Sequence, residues 1–222
     1  MTEISLYRRC PDAPPFRLLI SDMDSTIIEQ ECLDELADFA GFKPRVAAIT
    51  EAAMRGEIEF ESALRERVAL LKGMEAAVLE TVFRERITLV PGAKEMITAA
   101  LGKGMLTVLV SGGFTYFTAR VAAAAGFHHH HGNTLEIVDG YLTGRVIEPI
   151  LAKDAKLVYL KEYCHKLGIT TDEAVALGDG ANDLPMLQAA GLSVAYYAKP
   201  LITEACDVRI TQGDLTQVIP FL

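Results

Sequence analysis

The sequence predicts an α/β fold: a doubly wound, mostly parallel sheet with a small helical bundle inserted after its first strand. Three observations carry this reading. Short apolar runs at Leu18–Ile20, Met105–Val110 and Ala174–Leu177 recur between segments of helical spacing. Such runs, bounded by turn residues, suit parallel strands buried on both faces. Each run leads straight into a polar cluster: Ser21-Asp22-Met23-Asp24, Ser111-Gly112-Gly113 and Gly178-Asp179-Gly180-Ala181-Asn182-Asp183. Open α/β sheets collect their ligands at the C-terminal ends of their strands. Finally, the alternation of strand and helix is interrupted once, by four consecutive helical segments.

The elements follow in order. Residues up to Pro15 are polar and proline-containing and read as a tail. After the first strand, Leu33, Leu36, Ala37 and Ala40 keep helical spacing up to a stop at Gly41. Val46, Ile49 and Ala53 predict a second helix, stopped near Gly56. Phe60, Leu64, Val68 and Leu71 predict a third, stopped at Gly73. Val78, Leu79, Val82 and Phe83 predict a fourth. The insertion therefore covers 32–86, and 1–31 with 87–222 form the core. Pro91 suits the first turn of a helix ending near Gly102. Met105–Val110 is a strand, Ser111-Gly112-Gly113 its closing turn, and Phe114–Ala125 a helix. Leu135–Gly144 alternates around Asp139-Gly140, a hairpin signal. Ala155–Leu167 is a helix closed by Gly168, and Ala174–Leu177 a strand. A helix then reaches Ala190, and short strands follow at Leu192–Ala195 and Val208–Thr211. The tract His128-His129-His130-His131 is expected to be a solvated loop, since no acid or cysteine stands beside it as a metal ligand. No internal repeat is visible.

With 222 residues, half of them hydrophobic, the chain has ample material for one core and an insertion. Its net charge of -9 argues against nucleic acid and anionic membranes as partners. A phosphorylated substrate then needs locally placed cations. Cys10, Cys32, Cys164 and Cys206 form no CxxC pair, and the start lacks a basic and apolar leader. Reduced thiols and a cytoplasmic location are expected. The longest uncharged stretch, Gly104–Ala119, is broken by Ser111-Gly112-Gly113 and is too short for a membrane span.

Asp22 and Asp24 stand two apart, so a strand that held its pleat would aim both to one side. Crowded carboxylates call for a cation or a shared proton. A divalent metal, a phosphoryl acceptor, or both would answer that; the plainer alternative is a strand end with an Asp-Ser helix cap. Carboxylates from two strand ends make a hard oxygen site suited to Mg²⁺. The Ser111 hydroxyl and the backbone N–H groups of its glycines can hold phosphate oxygens, although each glycine cluster alone reads as a turn. Lys156, before the third cluster, can bring a cation, although a lysine at a helix start is usually solvated. Phe60 and Arg67 lie seven apart and share a helix face with Leu64 and Leu71. Arg67 either snorkels to the surface or offers its planar fork to a carboxylate.

Asp22-Met23-Asp24-Ser25-Thr26, Ser111-Gly112-Gly113-Phe114, Lys156 and Gly178-Asp179-Gly180-Ala181-Asn182-Asp183 resemble the haloacid dehalogenase-like superfamily. Glu29-Gln30-Glu31-Cys32-Leu33-Asp34-Glu35-Leu36-Ala37, Met54-Arg55-Gly56-Glu57-Ile58-Glu59-Phe60 and Leu64-Arg65-Glu66-Arg67-Val68 narrow the resemblance to its phosphoserine phosphatase branch. The likeness covers nearly all of the chain beyond Pro15. It departs at the histidine tract and in lacking an N-terminal regulatory domain, so feedback control through such a domain is not expected.

The resemblance implies a Rossmann-like core with a helical cap and a Mg²⁺-dependent phosphatase acting on O-phospho-L-serine at the last step of serine biosynthesis. It implies Asp22 as the nucleophile and Asp24 as the general acid and base. Mg²⁺ would be held by the Asp22 side chain, the Asp24 main-chain carbonyl and Asp179. Ser111, Gly112 and Lys156 would bind the transferring oxygens. Asn182 would contact substrate or phosphate, and Asp183 would orient Lys156 or the metal shell. Glu31 and Arg67 would grip the substrate ammonium and carboxylate, with Phe60 beside them. The small-molecule substrate would be the partner, with the protein a monomer or homodimer. Two rival readings are a phosphotransferase acting on an alcohol such as homoserine and a receiver-type signalling module carrying an aspartyl-phosphate.

Overall fold

The computed structural model describes residues 13–54, 57–151 and 154–222. Cys10, most of the N-terminal tail, and the Arg55-Gly56 helix stop lie outside the described residues. The strands are β1 (Leu18–Ser21), β2 (Leu106–Phe114), β3 (His129–Val138), β4 (Tyr141–Ile147), β5 (Ala174–Gly178), β6 (Leu192–Tyr196) and β7 (Val208–Ile210). Four helices follow β1: α1 (Cys32–Phe39), α2 (Lys43–Met54), α3 (Phe60–Ala69) and α4 (Ala77–Arg86). Then come α5 (Ala93–Gly102), α6 (Thr115–Ala125), α7 (Ala155–Leu167), α8 (Leu184–Ala189) and α9 (Pro200–Ala205). None of these helices is long and apolar enough to cross a membrane.

The strands form one sheet in the order β4-β3-β2-β1-β5-β6-β7. Every pairing is parallel except the β3–β4 hairpin. β1 lies between β2 and β5, with Ser21 level with Leu109 on one side and Leu177 on the other. The three polar clusters therefore stand side by side at the C-terminal ends of these strands.

Alternating side chains explain the double winding. Leu19, Leu109, Val175 and Leu177 face one apolar cluster, with Met96 and Ile97 of α5 and Phe117 and Val121 of α6. Leu18, Ile20, Val108, Val110 and Ala176 face the other, with Leu160 of α7 and Met186 of α8. Both faces are thus covered, as parallel sheets require.

Several details differ from expectation. Pro91 precedes α5 instead of opening its first turn. Gly92 caps the helix at φ 80°, and a Cβ there would come 2.6 Å from the Thr216 N atom. Ser111-Gly112-Gly113 is extended strand within β2, with a register irregularity against β3 between Val110 and Phe114. The histidine tract is not a loop: His129, His130 and His131 open β3, level with Val108, Leu109 and Val110. The His131 ring stacks on Tyr159 at 3.9 Å and 21°, and its Nε2 lies 2.8 Å from the Tyr163 hydroxyl. The His130 Nδ1 lies 3.0 Å from the Thr118 hydroxyl. α3 ends at Ala69, so Leu71 lies beyond the helix, although it is fully buried. Sequence spacing also missed α9 and the 3₁₀ segment Leu215–Phe221.

The predicted hairpin is present, with Asp139 at φ 50° and Gly140 at φ 82°. Both left-handed residues match a turn that follows strand twist. The hairpin is fastened to the segment after α3. Gly73 N donates to the Leu142 carbonyl, Leu142 N to that of Met74, and Ala76 N to that of Gly140, each at 2.8 Å.

Candidate active site

β1 ends at Ser21, and Asp22 is the first residue past it. Its backbone N–H still donates to the Leu177 carbonyl at 3.1 Å, so β5 holds it in register. The side chain is buried, and Oδ1 accepts from Met23 N at 2.7 Å. Lys156 Nζ lies 2.8 Å from the same oxygen. The chain then turns. Ile27 N and Ile28 N both return to the Met23 carbonyl, at 2.8 and 3.0 Å, and Ser25 sits at φ 55°. The pleat expected to align Asp22 with Asp24 has already ended. Asp24 is instead held from elsewhere: Cys32 N, the first residue of α1, donates to Oδ1 at 2.9 Å, and the Ser111 hydroxyl donates to Oδ2 at 2.8 Å. Gly113 N donates to that same Ser111 oxygen at 2.8 Å.

The third cluster is built around Asp183, which is fully buried at the N-cap of α8. Its Oδ2 accepts from Asp179 N at 3.1 Å and Gly180 N at 2.9 Å. Its Oδ1 accepts from Lys156. Gly178 is required here, because a Cβ would fall 2.5 Å from the Asp183 carboxyl carbon. Asp179 receives the Thr26 hydroxyl at 3.2 Å.

Oxygens of Asp22, Asp179 and Asp183 lie within 4.8 Å of one another. Three hard anionic donors converging from two strand ends fit a divalent cation such as Mg²⁺. The Asp24 carboxylate is not one of the three; the expectation concerned its main-chain carbonyl. Asp183 was expected only to orient its neighbours. Its place four residues after Asp179 was the available signal.

The charges are out of balance without a cation. Burial, then Asp183, push the Asp22 carboxyl well above its usual range, against the opposing pull of Lys156. Burial and Asp183 raise Asp179 to about 6. Burial alone would lower Lys156, but Asp183 and Asp22 outweigh it and hold the ammonium charged.

On the opposite side, Phe60 approaches the second cluster, its Cζ 3.4 Å from where a Gly112 Cβ would stand. Phe60, Ser111, Gly112, Leu151, Lys156 and Asn182 line one cleft. Glu31 accepts from the Ser25 hydroxyl at 2.7 Å. Crowding by protein, then Asp24, raise its carboxyl to about 7, although the residue as a whole remains exposed. Arg67 donates from Nε to the Ala63 carbonyl at 3.1 Å and from Nη1 to the Thr50 hydroxyl at 3.3 Å. It neither snorkels outward nor stands alone: it is half-buried, with Asp34 and Glu31 as its acidic neighbours. Thr50 and Asp34 were not singled out from sequence, since one threonine and one acid on helices carry no pattern.

A pH-dependent response to metal follows. Raised carboxyl groups retain protons in the folded state that the unfolded chain has released. They stabilise the metal-free fold below the unfolded pKa and lose that contribution as pH rises through about 6 to about 7. His130 and His131 are lowered by burial and act in the opposite sense, with or without metal. The metal-induced rise in Tm isolates the carboxylates, because protons compete with the cation for them. That rise should be small near about pH 5 and grow steadily to about pH 8. Calorimetry with Mg²⁺ or EDTA measures it, and a rise independent of pH would contradict this charge balance.

A family model described as haloacid dehalogenase-like hydrolase matches residues 19–188. A phosphoserine phosphatase of a Polaromonas species is 49% identical over 209 residues, covering 92% of this chain and 89% of that protein. That of Streptococcus thermophilus is 43% identical over 205 residues, covering 92% and 95%. Among solved structures, a phospho-aspartyl intermediate analogue of phosphoserine phosphatase superposes with a TM-score of 0.86. It is 36% identical and covers 94% of this chain and 100% of the other. A substrate-bound phosphoserine phosphatase complex also gives 0.86, at 36% identity, covering 95% and 100%.

Proposed function

The chain belongs to the haloacid dehalogenase-like hydrolase family, and on that premise we propose that it hydrolyses O-phospho-L-serine to L-serine and phosphate with Mg²⁺. The observation that carries this is the Asp22 carboxylate, buried at the end of β1 against Lys156 and beside Asp179 and Asp183. Asp22 attacks phosphorus and becomes an aspartyl-phosphate, dividing one hard step into two. Asp24 gives a proton to the departing serine oxygen, then takes one from the water that cleaves the acyl-phosphate. The Ser111 hydroxyl, the Gly112 N–H and Lys156 hold the transferring oxygens. Asp183 keeps Lys156 charged and aimed at them. Asp22, Asp179 and Asp183, with the Asp24 main-chain carbonyl, would hold Mg²⁺. When bound, the metal offsets repulsion between carboxylate and phosphate.

The substrate's other charges meet Arg67 of 32–86, which we take as a cap, and Glu31 at the end of the first stretch of the core 1–31 and 87–222. Arg67 offers a planar fork to the carboxylate, and Glu31 accepts from the ammonium. A carboxyl group raised to about 7 suits that task, since an arriving cation restores its ionisation. Phe60 and Asn182 complete the cleft. The unpaired thiols of Cys32, Cys164 and Cys206 support a cytoplasmic setting. A receiver module would need neither the acid/base at Asp24 nor α1–α4. A phosphotransferase would need an alcohol acceptor, and the relatives described above are named phosphatases.

A phosphate-release assay over phosphorylated small molecules, with Mg²⁺ or EDTA, tests this directly. Phosphoserine should lead the panel, EDTA should silence it, and homoserine should not accelerate release. Arg67→Ala tests the substrate choice. A charge-assisted hydrogen bond is worth about 1.5 to 3 kcal/mol. Its loss should lower kcat/KM for phosphoserine roughly 10- to 150-fold. Hydrolysis of p-nitrophenyl phosphate, which has no carboxylate, should barely change. Arg67→Lys should recover part of the loss, since a point charge makes no fork. Equal losses on both esters would reassign Arg67 to the fold.

A further inference from the structure

We propose that Asn133, on β3, is a positioning residue for the acid/base Asp24, acting through the Gly112–Gly113 peptide and Ser111. This rests on the roles given above to Asp24 and Ser111. Asn133 was not part of the sequence motifs, and its side chain touches none of the reacting groups. It is almost completely buried. Its Nδ2 donates to the Gly112 carbonyl at 2.7 Å, and its Oδ1 accepts from Leu151 N at 2.8 Å. The partners dictate the orientation of the amide, because a carbonyl needs a donor and an N–H needs an acceptor.

The consequence lies in peptide geometry. A trans peptide is planar, with its C=O and N–H pointing opposite ways. Fixing the Gly112 carbonyl on Asn133 therefore fixes the Gly113 N–H on the other side. That N–H donates to the Ser111 oxygen at 2.8 Å, and the Ser111 hydroxyl donates to Asp24 Oδ2 at 2.8 Å. In the substrate-free protein an unbroken chain of hydrogen bonds runs from Leu151 through Asn133, the Gly112–Gly113 peptide and Ser111 to Asp24; when phosphate takes the single Ser111 proton, the Gly113 N–H still fixes the Ser111 oxygen beside Asp24. Glycines on both sides of this peptide leave it free to rotate if nothing holds the carbonyl. The peptide lies where the β2–β3 register is irregular, between Val110 and Phe114, so regular pairing does not set its orientation. The Asn133 side chain bridges that gap. It also ties the gap to Leu151, which lines the same cleft as Ser111 and Lys156. A buried amide whose nitrogen and oxygen each have a partner is held in one orientation, and such buried networks rigidify a site.

Asn133→Asp gives the sharpest test, because the shape is kept while one donor becomes ionisable. As a carboxylate it would face the Gly112 carbonyl with a second acceptor and push the peptide away. Protonated, it donates to that carbonyl and accepts from Leu151 N as asparagine does. Turnover of phosphoserine and of p-nitrophenyl phosphate would be measured with Mg²⁺ from about pH 5 to about pH 8, with near-UV circular dichroism confirming the fold. At the alkaline end, kcat of the variant should fall about tenfold to a hundredfold on both esters, with KM changed far less. The ratio to the wild type should recover as pH falls. A merely structural asparagine would give no such recovery at constant fold. A loss independent of pH would overturn the proposal, as would wild-type kcat throughout in an Asp variant whose new carboxyl is seen by infrared difference spectroscopy to ionise within that range; if it stays protonated throughout, Asn133→Ser decides instead. If the Asp variant does not fold, Asn133→Ser decides: it keeps a hydroxyl too short to span both partners. A folded Ser variant with wild-type kcat would overturn the proposal, and a tenfold loss at unchanged fold would sustain it. A wild type inactive on both esters would overturn the enzymatic reading itself, and this inference with it.

Discussion

Asp22→Asn is expected to abolish turnover while the protein stays folded. The nucleophile has to be a carboxylate, because an amide oxygen cannot form and release an acyl-phosphate. Deleting an essential nucleophile costs on the order of 10⁶-fold in another covalent enzyme, and a loss of that order is expected here. Stability should move the other way. The Asp22 carboxyl is buried and raised by its own burial and by Asp183, so ionising it in the metal-free protein is unfavourable. A neutral amide of the same shape removes that repulsion, and Lys156 keeps Asp183 as its partner. The metal-free variant should therefore melt at or above the wild-type temperature near neutral pH. Steady-state assay and calorimetry on one preparation separate chemistry from folding. Activity near wild type would remove Asp22 from its role. A collapse in Tm would mean that the carboxylate is a structural partner of Lys156.

Asp24→Asn should produce the next largest loss, about 10² to 10⁴-fold in kcat. The geometry makes this substitution nearly silent for the fold. An asparagine oxygen can still accept from Cys32 N, and its amide can donate to the Ser111 oxygen in place of the bond now donated by Ser111. Only the proton-carrying capacity is lost. Both half-reactions use it, so phosphorylation and dephosphorylation should both slow, as pre-steady-state quenching can resolve. A leaving group that needs no proton, such as p-nitrophenolate, should restore the first half-reaction but not the second. If both substrates lose equally in the first step, Asp24 positions phosphate and does not deliver a proton.

The edge that carries the candidate site was legible in the sequence for a physical reason. Parallel strands buried on both faces must be apolar throughout, so β1, β2 and β5 stand out, and the polar residues that end them stand out equally. Asp22, Asp24, Ser111 and Asp179 came from that contrast, and Lys156 from its place before the third cluster. What escaped was anything decided by neighbours distant in sequence. Ser111-Gly112-Gly113 reads as a turn by composition, yet β3 and the Asn133 amide hold it extended. The histidine tract reads as solvated, yet Tyr159, Tyr163 and Thr118 give its rings apolar faces and polar partners, and β2 pairs its backbone. Amphipathic rings fit a half-covered strand as readily as a loop. Asp183 looked like an accessory because its importance lies in collecting two backbone N–H groups and Lys156 at once. Pro200 disguised α9, being the first residue of a helix and not a break.

The covalent intermediate itself offers the most direct measurement. Protein caught during turnover of phosphoserine with Mg²⁺ would be quenched, reduced with borohydride and mapped by peptide mass spectrometry. An acyl-phosphate is reduced to an alcohol, whereas an untouched carboxylate is not. Reduction is expected at Asp22 alone, dependent on substrate and absent from Asp22→Asn. Reduction at another carboxylate, or rapid phosphate release with no reducible residue at any quench time, would contradict an aspartyl-phosphate on Asp22.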